Sequence, residues 1–169
     1  MLLTPHVAAG MAIGAAIPDP KIAVPLAFAS HFVLDAVPHW DEVGLGLLEK
    51  RFKRISRSAF KAVLFDFLVA LSLALFLIYF AMPDFGVAVT LGACFVASIL
   101  PDIYYLPLAF FGKRWGTVMW VVRMQNKLQT AAKAPKAFGL LTQGVLVVIC
   151  LLIELQQILV QLPQTWRIH

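Results

Sequence analysis

Long apolar runs dominate the chain, and short polar stretches separate them. A helix needs about 20 apolar residues to cross the hydrocarbon core of a membrane. The apolar segments are residues 4–17, 21–37, 61–82, 85–100 and 137–161. The third and the fifth are long enough to cross alone. Because a helix satisfies its own backbone hydrogen bonds within lipid, the pattern predicts an all-α, polytopic transmembrane bundle with about five hydrophobic segments.

The first two segments are short, and a Pro-Asp-Pro sequence at residues 18–20 joins them. Proline restricts its own backbone and that of the preceding residue, so this junction predicts a tight turn in a helical hairpin. Residues 42–60 and 113–135 mix apolar side chains with charges, and the second stretch carries tryptophans. Tryptophan is enriched at the level of lipid headgroups. We therefore expect both stretches to be interfacial amphipathic helices.

The composition also indicates a membrane protein. Of the 169 residues, 61% are hydrophobic and 14% are charged, and the mean hydropathy is +0.85. An ordinary soluble domain has about 25% charged residues, so this composition excludes that class. The length leaves room for one compact bundle, and we expect a single integral membrane domain over residues 1–169.

Basic residues are concentrated in two groups, and the net charge is +5. Short loops rich in lysine and arginine stay cytoplasmic, so these groups predict a cytoplasmic N-terminus in a bacterial inner membrane. Contact with anionic lipid headgroups is a second interpretation. No basic face interleaved with aromatic residues accompanies the charge, so we expect no nucleic-acid partner. The groups are Lys50, Arg51, Lys53, Arg54, Arg57 and Lys61, and Lys113, Arg114, Arg123, Lys127, Lys133 and Lys136.

The end of the second segment reads SHFVLDAVPHWD and carries the main candidate chemistry. His31 and Asp35 lie one helical turn apart and project from one face, so both can bind one ion. Pro38 ends the helix and places His39 and Asp41 on the following turn. Imidazole and carboxylate together suit zinc, and an ion satisfies such groups at membrane depth. The alternative is a hydrogen-bonded His31–Asp35 pair, with Asp41 capping the next helix.

Motifs outside this stretch extend the pattern. TPHVAAG, SHFVLDAVPHWD and LPD together resemble small membrane-embedded metal-dependent hydrolase-like proteins. The His-x-x-x-Asp-x-x-x-His core is similar to a metal-binding helix of zinc-dependent phospholipase C. The chain lacks the His-Arg-x-x-Thr-His segment of the membrane group. The resemblance implies one or two ions of zinc or another divalent metal, with His6, His31, Asp35, His39 and Asp102 as ligands.

From these features we expect a metal-dependent hydrolase that acts at the cytoplasmic interface on a lipid-derived phosphoester or ester. The ion would bind the substrate oxyanion and lower the pKa of water toward about 7. Asp41 or Asp66 would orient or deprotonate that water. An equal alternative for Asp66 is an acid that reaches toward the membrane interface. A shallow site suits a phospholipid headgroup, and the basic helices attract anionic ones.

Other interpretations stay open. The same cluster suits a structural metal site, an ion-handling protein or an accessory subunit of a larger membrane complex, and a homo-oligomer is compatible with the long apolar faces. We expect Glu154 either to bond another helix or to face the outer headgroups. In the predicted topology Asp19 lies on the opposite membrane face from the other acids, so we interpret it as a turn residue.

Overall fold

The structure, a computed structural model, describes residues 1–40, 57–82, 84–104 and 115–161. All regular elements in these ranges are helices, which confirms the all-α prediction for them. The helices are α1 Leu3–Ala16, α2 Pro20–Asp35, α3 Arg57–Ala81, α4 Phe85–Ile103, α5 Gly116–Ala131 and α6 Lys136–Gln161. The amphipathic helix predicted at 42–60 lies largely outside the described residues, whereas the stretch at 113–135 contains α5.

Three helices are long and apolar enough to cross a membrane, fewer than the five predicted segments. They are Phe60–Ala81 within α3, Phe85–Ile103 in α4 and Lys136–Gln157 within α6. The two short N-terminal segments account for the difference. At 1.5 Å rise per residue, the 14 residues of α1 extend roughly 21 Å, well short of a hydrocarbon core of about 30 Å.

The short helix α1 lies at the centre of the bundle and packs against α2, α3, α4 and α6. Its contact with α4 is close because small residues face each other. A Cβ atom added at Gly10 would lie 2.6 Å from Ser98 Cβ, and one at Gly14 would lie 3.1 Å from Cys94 Sγ. Such approach through small residues is typical of helix pairs in membranes. The register brings the first turns of α1 beside the C-terminal end of α4.

Apolar side chains fill the space between α1, α3 and α4, including Val7, Met11, Leu77 and Leu91. The outer faces of α3 and α6 are also apolar but exposed, as expected for helices that face lipid. Asp19 is exposed and caps α2, because its carboxylate accepts a hydrogen bond from the Lys21 backbone N–H at 2.9 Å. The structure thus places Asp19 in the turn between α1 and α2, as interpreted from the sequence.

The turn after α2 is fixed against the start of α6. Thr142 Oγ1 donates to the Pro38 carbonyl at 2.6 Å, and Gln143 Nε2 donates to the Trp40 carbonyl at 3.0 Å. A side chain at Gly139 would collide with the backbone of Trp40, so the turn can lie this close only against glycine. These contacts hold the C-terminal end of α2, and with it the candidate site, at one end of the bundle.

Candidate metal centre

Two imidazoles from different helices stack inside the bundle. The ring centroids of His6 on α1 and His31 on α2 lie 3.9 Å apart, with 13° between the ring planes. Both side chains are buried. Burying polar rings is unfavourable unless their nitrogens find partners, so the partners of each nitrogen define what the site can bind.

One nitrogen of His31 has a clear partner. His31 Nδ1 lies 2.7 Å from the Ser98 carbonyl oxygen of α4. A carbonyl can only accept, so Nδ1 carries the proton and Nε2 keeps its lone pair in the neutral ring. Histidines that bind metals almost always hold their second nitrogen in this way, which fixes the ring and its tautomer. His31 Nε2 is therefore prepared to accept a proton or a cation.

Two carboxylates approach the imidazole nitrogens. Asp35 lies 3.4 Å from His6 Nε2 and 3.5 Å from His31 Nε2, and Asp102 Oδ1 lies 3.6 Å from His31 Nε2. Good N–H···O hydrogen bonds measure about 2.7–3.2 Å, so these contacts are too long for strong direct bonds. Two ligands on one tetrahedral zinc, each about 2.0 Å from the metal, lie roughly 3.3 Å apart. The separations therefore fit atoms that share an ion better than atoms that bond each other.

Candidate ligand atoms from three helices lie close together at this site. His6, His31 and Asp102 each offer an atom, and these atoms lie within 4.8 Å of one another. His6 Nδ1 is buried and has no hydrogen-bond partner among the described residues. An unpaired imidazole nitrogen, two rings and nearby carboxylates form a donor set that suits zinc or a similar divalent ion. The residues present thus fit a metal centre.

The electrostatics of the site favour positive charge between the carboxylates. Burial and the neighbouring His31 lower the pKa of His6 to about 3, so His6 is neutral at pH 7. Burial opposes charge on His31, but Asp35 and Asp102 raise the pKa of this imidazole above its usual value. Burial also opposes charge on Asp35, yet the two imidazoles hold the pKa of that carboxyl well below its usual range. The carboxylates thus favour positive charge on His31, whereas burial keeps His6 neutral.

Helix α5 adds two amides that sequence reasoning missed. Gln125 Nε2 lies 3.0 Å from His31 Nε2 and 3.2 Å from Asp102 Oδ1. Gln129 Nε2 lies 3.3 and 3.4 Å from the two oxygens of Asp35. The α-amino group of Met1 lies 3.3 Å from Asp35 Oδ1. In the sequence, the feature that could have indicated Gln125 and Gln129 is their spacing, which places them one helical turn apart on one face of a helix.

The other predicted site residues lie elsewhere or outside the described residues. His39 is buried, its Nδ1 lies 2.7 Å from the Val37 carbonyl oxygen, and it is not in the three-residue group; its ligand role stays a prediction. Asp41 lies outside the described residues.

Asp66 accepts hydrogen bonds from the backbone N–H of Leu3, from the backbone N–H of Thr4 at 3.3 Å and from Thr4 Oγ1 at 2.6 Å. Its carboxylate thus caps α1, and its catalytic role stays a prediction.

Glu154 departs from both expectations for it. Its side chain is fully buried in α6, and neither carboxylate oxygen has a hydrogen-bond partner among the described residues. It therefore does not face headgroups, and it forms no bond to another described helix.

No protein-family model matches the chain, and neither the curated proteins nor the solved structures contain a match. The function is therefore inferred from the geometry and the chemistry of the site.

Proposed function

We propose that this chain is a metal-dependent hydrolase of the membrane interface, which binds a divalent ion through His6, His31 and Asp102. The observation that carries the proposal is the approach of their ligand atoms to within 4.8 Å, from α1, α2 and α4. Two imidazoles and one carboxylate are a common ligand set of hydrolytic zinc sites, so zinc is the first candidate. The ion would supply a Lewis acid and lower the pKa of a water molecule toward about 7.

The protein's own residues would perform three tasks. Ser98 holds the His31 ring through its carbonyl oxygen, and Asp35 keeps both imidazoles oriented from the opposite side. Asp102 is 38% exposed, whereas the histidines are buried, so a substrate would approach the site from the side of Asp102.

A lipid-derived phosphoester or ester is the substrate class that we propose. A groove of about 450 Å³ is lined in part by Leu100 and Pro101, the two residues that precede Asp102 on α4. Phe28, Tyr104 and Trp120 add aromatic side chains, so the lining is mostly apolar. A largely apolar groove suits a substrate with a hydrocarbon chain.

A second candidate is a non-catalytic membrane protein in which the cluster has a structural role, handles ions or stabilises an accessory subunit of a complex. One specific observation favours it: nitrogen donors already approach the acceptors of the site. They are Gln125 Nε2, Gln129 Nε2 and the α-amino group of Met1. With these donors in place, the carboxylates of Asp35 and Asp102 have partners without an ion.

Elemental analysis of the protein purified in detergent first tests whether the cluster binds an ion. We expect wild type to retain close to one zinc per chain, and His31→Ala and Asp35→Ala to lose most of it. Asp19→Asn is the control, because Asp19 is an exposed acid in the turn between α1 and α2 and is outside the three-residue group. It should retain the ion. Equal metal content in wild type, His31→Ala and Asp35→Ala would contradict the proposal.

Hydrolysis is measured next, on vesicles of anionic phospholipid and on vesicles of zwitterionic phospholipid. We expect release of headgroup or acyl product by wild type, loss of product after chelation and recovery when zinc is added back. A protein that binds zinc tightly and releases no product from either lipid would favour the non-catalytic candidate.

A further inference from the structure

The side-chain amide of Gln125 lies beside two residues of the candidate metal centre. Its side chain is buried on α5, and its Nε2 lies 3.0 Å from His31 Nε2 and 3.2 Å from Asp102 Oδ1. Both neighbours belong to the three-residue group. The two distances are close to the roughly 3.3 Å between ligands on one tetrahedral zinc. The end of the amide therefore lies where a further ligand of the same ion would lie.

An ion bound to His31 Nε2 and the present orientation of the Gln125 amide exclude each other. Because His31 Nδ1 donates to Ser98, His31 Nε2 is an acceptor, and the Gln125 amide donates to it. An ion bound to His31 Nε2 would take that lone pair, and its charge would repel the amide N–H groups. The opposite end, Gln125 Oε1, is buried and has no hydrogen-bond partner among the described residues.

We infer that Gln125 is an exchangeable ligand of this centre, and that a half-turn of its amide brings Oε1 to the ion in place of Nε2. The inference rests on the proposed function, because it requires that His31 and Asp102 bind an ion. A neutral amide oxygen is a weaker ligand for zinc than imidazole or carboxylate. Gln125 is thus the ligand that a substrate oxygen would displace. Without substrate, all coordination positions of the ion would be filled by the protein. With substrate, the position of Gln125 would become available to the substrate oxygen.

Gln129 provides a matched control on the same helix. It lies one helical turn from Gln125, and its Nε2 approaches the two oxygens of Asp35. Gln129 is therefore a positioning residue for Asp35. A substitution at Gln129 removes an amide of the same size from the same helix without removing the proposed ligand.

The test is the Zn²⁺ affinity of the full chain in detergent, measured by competition with a chromogenic chelator. Loss of a group that supports a metal site reduces affinity by about 10- to 100-fold, so we expect Gln125→Leu to weaken binding by about 10-fold or more. Gln125→Glu supplies a charged oxygen in nearly the same place and should tighten binding. Gln129→Leu should change the affinity less than Gln125→Leu does.

A spectroscopic measurement reports the ligand directly. The visible absorption of Co²⁺ bound in place of Zn²⁺ depends on the number and type of its ligands, so the bands should change in Gln125→Leu and in Gln125→Glu. They should stay close to those of wild type in Gln129→Leu. Unchanged bands in both Gln125 variants would overturn the inference.

The outcomes separate this inference from the proposed function. If wild type binds Zn²⁺ and Gln125→Leu binds it equally well or more tightly, the amide only competes with the ion, and the inference alone is overturned. If wild type binds no Zn²⁺, both are overturned. Should Gln125→Leu fail to fold, Gln125→Glu decides, because an unchanged Zn²⁺ affinity in this nearly isosteric variant also overturns the inference.

Discussion

Asp35 and Glu154 are both completely buried acids on largely apolar helices, but their surroundings differ. Asp35 lies within 3.5 Å of two imidazoles, an α-amino group and the amide of Gln129. Glu154 has no hydrogen-bond partner among the described residues. Burial of an acid therefore does not by itself identify a functional site. Partners that converge on the acid from several helices do.

The architecture explains the difference. Asp35 is at the end of α2, one of two helices too short to cross a membrane, and the central helix α1 brings His6 and the first residues of the chain toward it. Glu154 lies within the membrane-length part of α6, Lys136–Gln157, and not at the end of a short helix. Short helices inside a bundle thus create a polar pocket, whereas a long helix that faces lipid on one side does not.

The largest effect should come from removing the charge of Asp35. Asp35→Asn keeps the shape of the side chain but leaves the imidazoles and the α-amino group without their carboxylate. Breaking a buried charge pair in this way costs about 3–5 kcal/mol. Thermal or denaturant unfolding in detergent measures the loss, with a chelator present so that bound metal does not contribute.

Asp19→Asn is the control for that experiment. Asp19 is exposed and caps α2, and asparagine is as good an N-cap as aspartate, so its stability should be close to that of wild type. If Asp35→Asn were as stable as Asp19→Asn, the partners of Asp35 would contribute nothing to the free energy of unfolding, and Asp35 would not differ from Glu154 in this respect.

Asp66 is an intermediate case, since its partners are the backbone and hydroxyl donors of the first turn of α1. Loss of a helix cap costs about 0.5–2 kcal/mol, so Asp66→Ala should destabilise the protein by that amount and leave its metal content unchanged. Unfolding and elemental analysis of the same preparation test both statements. If Asp66→Ala instead keeps its stability and its metal but loses hydrolysis, the catalytic role predicted from the sequence is the better explanation.

The sequence predicted the helical membrane bundle because apolar runs report lipid or core contact wherever they occur. It also indicated His6, His31, Asp35, His39 and Asp102 as one ligand group. The structure brings ligand atoms of three of these residues to within 4.8 Å and places Asp35 against both imidazoles, whereas His39 is not in that group. These residues belong to short motifs, so local spacing and the resemblance were sufficient. The number of membrane-length helices was overestimated because an apolar run indicates that a segment is buried, but it does not show whether lipid or other helices of the bundle cover that segment.

The amides of α5 could not be predicted in the same way. Glutamine on an amphipathic helix normally faces water, and only the packing of α5 against α2 turns Gln125 and Gln129 toward the site. The capping role of Asp66 depends likewise on contact with a helix far away in the sequence. In both cases the sequence shows which polar group the side chain carries, but it does not show the tertiary contact that gives this group a role.

The smallest effect should come from Glu154. A buried polar group without a partner destabilises a protein, and replacing it with an apolar residue of similar size is neutral or stabilising. Leucine is also favourable in a membrane-length helix. We therefore expect Glu154→Leu to leave stability unchanged or to raise it by about 1 kcal/mol, measured by the same unfolding experiment in detergent. A loss of several kcal/mol would instead mean that Glu154 has a partner outside the described residues, such as a second copy of the chain. Size-exclusion chromatography of the variant would then show a smaller assembly than wild type, and Glu154 would join Asp35 as an acid with partners.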